Sequence, residues 1–268
     1  MRETQRHANG AKAAEGPVEN GLRHGAWRSW GASGRKLAEE DYESGLLHGW
    51  HTSWHERTQL KRAEGAHERG QRVGHWLTWH ENGRPESEGD YVAGEPHGEW
   101  RLLHDNGELA ATCTFERGQR VGEWVFHHRN GRVAERGLFR AGLREGPWTS
   151  WHANSAVAAH GDYSNGEREG PWTTWHKNGR VESKGLYVSG QRTGVWRVWW
   201  DAGTPRCEGS FVEGEPFGWW EFFYEHGQKR AVGEYREGRQ VGPWHCWHID
   251  GSPDEGATGT YWDDVLQR

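Results

Sequence analysis

Aliphatic side chains are what this sequence has least of. It holds one isoleucine, Ile249, and one methionine, and Leu, Ile, Val and Phe together make up about 13% of its residues, a level that signals disorder when net charge is high. The net charge is only −6, so composition alone does not exclude a fold. No stretch approaches the roughly 18 apolar residues of a membrane helix, and the opening MRETQRHANGAK lacks the apolar segment of a secretory signal. A cytoplasmic protein is the expectation. Cysteine is scarce too: Cys113, Cys207 and Cys246 are odd in number and form no C-x-x-C pair, which argues against a disulfide framework or a zinc cluster.

Aromatic residues take the place of the missing aliphatics. The chain has 20 Trp, 7 Tyr and 7 Phe, and each ring can bury roughly 150 to 250 Å². Its 40 Gly favour tight turns over helices, because a glycine costs about 1 kcal/mol in a helix interior.

These residues recur with a fixed period. With a lead glycine as position 1, the series runs Gly21, Gly45, Gly70, Gly94, Gly118, Gly142, Gly166, Gly190, Gly214 and Gly238, so ten units follow. Position 5 is always Gly. Position 7 is Trp except at His51, as in Trp76, Trp100 and Trp172, and position 22 is Tyr, Phe or once His, as in Tyr42, Tyr91, Phe115, Tyr187 and His67. The division that follows is an N-terminal half-repeat or cap over 1–20, ten tandem repeats over 21–251 and a C-terminal cap over 252–268. An extra residue near Thr58 and Gln59 lengthens one loop.

Asn-Gly at positions 13 and 14, as in Asn82-Gly83 and Asn178-Gly179, predicts a type I′ hairpin turn, in which both residues need positive φ. Centring the hairpin there sets Trp76 across from Gly89, with the ring covering the bare glycine. The glycines at positions 1 and 5 bracket the second reversal, bringing Tyr91 opposite Trp100. Strand alternation then puts positions 7, 9, 11, 18, 20 and 22 on one face. The fold expected is all-β: an elongated, open antiparallel meander of about ten 24-residue hairpins, some 21 strands and on the order of 100 Å long. One repeat alone is not expected to fold.

The spacing of G-x-W, a second aromatic, N-G and G-x-Y-x-x-G resembles the MORN-repeat group, and more closely its bacterial variant, the repeats of YwqK-type antitoxins. That resemblance covers about Gly10 to Gly251. It implies sheets built of hairpins and a role in protein binding or assembly, and its bacterial members imply an antitoxin or immunity partner of a toxin. Trp at both position 7 and position 10 departs from the group's usual Tyr and Phe.

Three rows of residues are candidate sites. Position 10 holds Trp30, Trp54, Trp79, Trp151, Trp175, Trp199 and Trp247, on the face opposite position 7 if strands are regular, among charges such as Glu86, Glu88 and Glu182. Exposed Trp is enriched at interfaces, although a bulge or strong twist would draw these rings into packing. Arg72, Arg120, Arg144, Arg168 and Arg192 recur at position 3, expected in the turn between units as a row along one edge. The His row at position 11, which includes His55, His80, His104, His128, His152, His176 and His248, cannot share a metal, because equivalent positions lie about 10 Å apart and zinc ligands converge within about 2.3 Å. No nucleotide loop, nucleophile elbow or kinase signature is present, and no cofactor is called for.

The expectation is therefore a non-enzymatic scaffold that binds a partner protein, specifically a toxin neutralised by occlusion, with the Trp and Arg rows as anchors. The alternatives are an assembly scaffold without a toxin and, third, a membrane-surface binder. Nucleic acid and integral membrane association are not expected, and open end strands leave oligomerisation available.

Overall fold

The computed structural model describes residues 1–267. It is all-β, with 24 strands and no helix among those residues. The chain divides into two compact units, Met1–Arg132 with Phe139–Gly142, and Val133–Leu138 with the chain from Leu143 onward. Each is an open antiparallel meander in which strands pair with their sequence neighbours. Three strands exceed the expected 21. Arg2–Arg6 pairs with Lys12–Glu19, Val265–Gln267 pairs with Gly259–Trp262, and a break at His24 separates Leu22–Arg23 from Gly25–Trp30. The last residue of the expected C-terminal cap, Arg268, lies outside the described residues.

The type I′ turn expected at Asn-Gly is found at the other reversal. Gly83 takes positive φ (82°) and Asn82 does not. The loop from His80 to Arg84 is closed by Gly83 N–H on His80 O and His80 N–H on Arg84 O, a type I turn followed by a left-handed glycine. Asn82 works sideways instead. Its Oδ1 accepts from Arg84 N–H, and its amide donates to Asp105 O in the next loop. The two-residue type I′ turn is at Ala93-Gly94, where φ is 50° and 85° and Val92 pairs with Glu95.

Gly98 does not belong to a reversal either. Between the pairs Asp90 with His97 and Glu88 with Arg101, the three residues Gly98, Glu99 and Trp100 face Gly89 alone. Gly98 takes φ 75° there, as expected where extra residues kink a strand. The bulge aims the next tryptophan. Trp76 does pair with Gly89, yet the ring over Gly89 is that of Trp100, because a methyl group on Gly89 would lie 2.2 Å from Trp100 Cδ2. Likewise Trp76 lies over Gly65 and Trp172 over Gly161. Each hairpin is thus covered by the ring of its successor.

The interrupted ladder frees a carbonyl at position 21, and the same indole takes it up in the other repeats, although the buried Trp100 Nε1 has no partner among the described residues. Trp76 Nε1 donates to Ala66 O at 3.1 Å and Trp172 Nε1 to Asp162 O at 3.0 Å. Aromatics at position 22 then meet the tryptophans edge to face. In the second unit the row runs through Tyr163, Trp172, Tyr187, Trp196, Phe211 and Trp220 with centroids 5.1–6.2 Å apart. Such contacts contribute about 0.5–1.5 kcal/mol each beyond area burial. Trp172 is 5% exposed and Trp76 1%, although only one layer of sheet is present in each unit.

One hairpin of the first unit is built differently. Position 20 is Glu40 instead of Gly, position 7 of the following strand is His51 instead of Trp, and the two pair directly. His51 Nδ1 lies 3.3 Å from Glu40 Oε1, and Tyr42 donates to the other carboxylate oxygen. His51 in turn meets the buried His67, which meets Trp76. Burial, then the charges of His51 and Arg72, push the His67 imidazole down to about 4, with Glu40 opposing.

Because that value lies below the 6.5 of an ordinary imidazole, protonation opposes folding. Stability is full above about pH 6.5 and is lost as pH falls toward 4. The Glu40 carboxyl, held low chiefly by His51, extends the loss at lower pH. We expect unfolding midpoints to fall across this window, and His67→Phe, with the ring that Phe115 supplies at the same position, to flatten the fall. A variant as acid-sensitive as the parent would contradict the assignment.

Candidate partner-binding surface

The arginines of position 3 sit within strands, over the packed face, and not in the turns where the spacing had put them. Arg72 pairs with His67 in the ladder. Its guanidinium lies 4.4 Å from the Trp76 ring centre and donates to Tyr91 Oη at 3.0 Å. Arg144 lies 4.1 Å from Trp148 and pairs with Glu135. Arg168 lies 4.3 Å from Trp172 and donates to Tyr187 Oη. Arg120 stacks between Trp124 and Phe139, and Arg192 lies 4.6 Å from Trp196. Their apolar stems and flat faces cover rings that no second layer covers. The spacing of Arg and Trp four residues apart was a signal for this stacking, but only the bulge at position 5 brings them together.

The position-10 tryptophans are on the other face. No residue is inserted between Trp172 and Trp175, so strand alternation separates them. A register shift does occur, but on the partner strand, where position 17 is the extra residue. Position 10 consequently pairs with position 16 at the loop end of each hairpin. In the first unit the pairs are Trp30 with Lys36, Trp54 with Lys61, and Trp79 with Pro85. Lysines also lie over these rings from the adjoining strand, Lys12 over Trp30, Lys36 over Trp54 at 4.2 Å and Lys61 over Trp79.

The second unit leaves the row barer. Trp151 pairs with Val157, Trp175 with Val181, Trp199 with Pro205, and Trp247 bridges to Pro253. Lys184, 5.6 Å from the ring centre, lies over Trp199. All four rings are half-buried. Beside Trp175 is a shallow cavity of about 540 Å³, lined also by Val157, His160 and Thr149. On the same face, four residues back along their strands from position 10, Val195 and Trp219 are about half exposed, at 50% and 53%.

The position-11 histidines have structural work. His55 Nε2 is 2.7 Å from Trp79 O, His80 Nε2 is 2.9 Å from Leu103 O, and His176 Nε2 is 2.9 Å from Trp199 O. Each strut ties one loop to the next and holds the carbonyl of the position-10 residue, which fixes the ring row from behind. Where the sequence changes this residue, the strut survives: Trp200 Nε1 donates to Phe223 O and Tyr224 Oη to Trp247 O. The three cysteines are free, and burial pushes the Cys113 thiol up to about 11, well away from a reactive thiolate.

Comparison with known proteins adds the following. Residues 72–93 and 168–189 match the MORN repeat variant family model, in the same phase of two different units. The chain therefore carries repeats of that type at those two places. No curated protein matches it. Among solved structures, it is similar to the crystal structure of TcdB2-TccC3, at 9% identity over 94% of this chain and 17% of that one, with a TM-score of 0.21. The crystal structure of TcdB2-TccC3-Cdc42 aligns at 10% identity over 94% and 17%, with a TM-score of 0.20. The chain thus spans less than a fifth of the chains it matches, and no functional inference follows from likenesses at that level.

Proposed function

We propose that the chain is a non-enzymatic scaffold that binds a partner protein through the second-face ring row, and that the partner is a toxin it neutralises by occluding the toxin's active surface. The observation that supports this most is the row Trp151, Trp175, Trp199 and Trp247, half-buried, apolar-paired and held from behind by backbone-bonded struts. Aromatic anchors set rigidly in a partly apolar surface are the usual centre of a protein interface. A cytoplasmic setting suits three unpaired thiols.

Affinity capture from the native host, followed by mass spectrometry, tests this. The expected result is one stoichiometric small protein that arrests growth when expressed alone and is relieved by this chain. Trp175→Ser with Trp199→Ser is expected to weaken capture at least about tenfold; loss of two half-buried rings also lowers the unfolding midpoint, so capture is compared at a temperature where circular dichroism shows the variant folded. Recovery of structural proteins without toxicity would favour an assembly scaffold. Tight binding to liposomes with no protein captured would overturn protein binding altogether.

A further inference from the structure

Two successive repeats of the second unit break the pattern together. Position 11 is Trp200 and then Tyr224 in place of His, and position 17 is Arg206 and then Arg230, where Glu86, Ala110, Ala134, Ala158 and Glu182 stand in the five repeats before them and the one earlier arginine, Arg62, accompanies the usual His55. Position 17 is the extra residue of the loop-end register shift. With Arg192 and Phe222, these four residues line a cavity of about 620 Å³ on the packed face, at the same loop end of the hairpins as the ring row.

The guanidiniums are set with their faces occupied and their edges unoccupied. Arg206 lies 4.7 Å from the Trp200 ring centre, Arg230 5.3 Å from Phe222, and Arg192 4.6 Å from Trp196. The equivalents Arg72, Arg144 and Arg168 donate to a tyrosine hydroxyl at position 22, whereas the residue facing Arg192 is Phe211, which has none. Among the described residues neither Arg192, Arg206 nor Arg230 has a side-chain hydrogen bond or a carboxylate partner within the chain. All three charges reach Cys207, also in the cavity wall, where they oppose the effect of its burial. Glu182 is the one carboxylate of the lining, leaving an excess of two positive charges in a chain whose net charge is −6.

Guanidinium edges in a fork recognise carboxylates bidentately, and the Trp200, Phe222 and Tyr224 rings give an apolar wall for a neighbouring side chain. We propose that this cavity docks an acidic segment of the partner protein that carries an aromatic residue between carboxylates, a proposal that rests on the protein-binding reading above. Arg206 and Arg230 grip the carboxylates, and the partner wraps the loop edge from the ring row on one face to this cavity on the other.

The probe is a blocked peptide of four glutamates around one tyrosine, titrated calorimetrically into the whole chain. The expected result is binding that weakens as salt rises and falls at least about tenfold in Arg206→Gln/Arg230→Gln. Both arginines are exposed, so circular dichroism and the unfolding midpoint should not move. The same peptide with lysines for glutamates should not bind, and the Trp175→Ser/Trp199→Ser variant should bind the acidic peptide as the parent does. Absence of acidic-peptide binding at millimolar concentration would overturn the proposal, as would equal binding by the arginine variant. Arginine-dependent binding to phosphatidylserine vesicles without peptide binding would also overturn it, in favour of a membrane ligand. A captured partner that survives the arginine changes but not the tryptophan changes would defeat this docking site alone. Failure to capture any protein would defeat the parent reading, with the peptide result standing separately.

Discussion

Gly161→Ala is expected to destabilise the protein by about 3 kcal/mol, far more than alanine at glycines that look equally invariant along the repeat. Its φ is not in the left-handed region, so the backbone accepts alanine. The cost comes from space. A methyl group there would lie 2.3 Å from Trp172 Cδ2, and the indole has no route away. Tyr163 and Tyr187 meet its edges at 5.2 and 6.1 Å, Arg168 covers it, and its N–H is held by Asp162 O. Gly170 is the comparison: φ is 66° with no atom within 4 Å of a methyl group, so alanine there costs only the left-handed backbone term, roughly 1–2 kcal/mol. Denaturant melts of the two variants separate these mechanisms. Equal losses would mean that the glycines serve turns alone.

His51→Trp, which moves the sequence toward the repeat's consensus, is expected to destabilise by about 3 kcal/mol, and Glu40→Gly in the same chain is expected to restore most of it. Elsewhere in the repeat an indole lies over a bare glycine, as Trp76 does over Gly65, or faces the small Cys113 in the case of Trp124. At this hairpin the space holds the Glu40 carboxylate, fixed by Tyr42 and beside His51. A tryptophan introduced alone would meet the carboxylate and strip it of the imidazole. Glycine at position 40 reopens the seat. Glu40→Gly alone should also destabilise, since it leaves His51 over an unfilled position, so the two changes should be strongly non-additive in equilibrium unfolding. Additive effects would show that position 7 does not depend on position 20 of the preceding unit.

Much of this architecture is written in the sequence, because a period of 24 with Gly, Trp and Tyr at fixed places admits few sheet arrangements. The ladder partners Trp76 and Gly89 followed from centring the hairpin, and the face shared by positions 7, 20 and 22 followed from alternation. What could not be read was where the rings lean. A pairing register names the residue opposite, while the bulge at Gly98–Trp100 tips the ring across to the previous hairpin. Asn82-Gly83 misled for a similar reason: the dipeptide serves both a two-residue I′ turn and a longer loop, and the loop wins because Asn82 can then bond to Asp105 O in the next hairpin. The Arg row was legible as a periodicity but not as a cover for the rings. Of the cavity in the second unit, the replacement of His by Trp200 and Tyr224 at position 11 can be read from the repeat, but the accompanying Arg206 and Arg230 gain meaning only once position 17 is placed on the packed face.

These details have one functional consequence. The packed face is filled by its own Trp, Tyr and Arg side chains except at the loop-end cavity around Arg206 and Arg230, so on the proposed reading a partner meets the ring row, the loop edge and that cavity, and the rigidity of the row depends on each hairpin being covered by the next. A double-mutant cycle at Gly89 tests that dependence most directly, pairing Gly89→Ala once with Trp100→Leu and once with Trp76→Leu and following unfolding by circular dichroism. Coupling above about 1 kcal/mol is expected with Trp100, since the smaller side chain relieves the clash, and little coupling with Trp76, although Trp76 is the residue opposite in the ladder. Coupling to Trp76 and not to Trp100 would contradict that dependence.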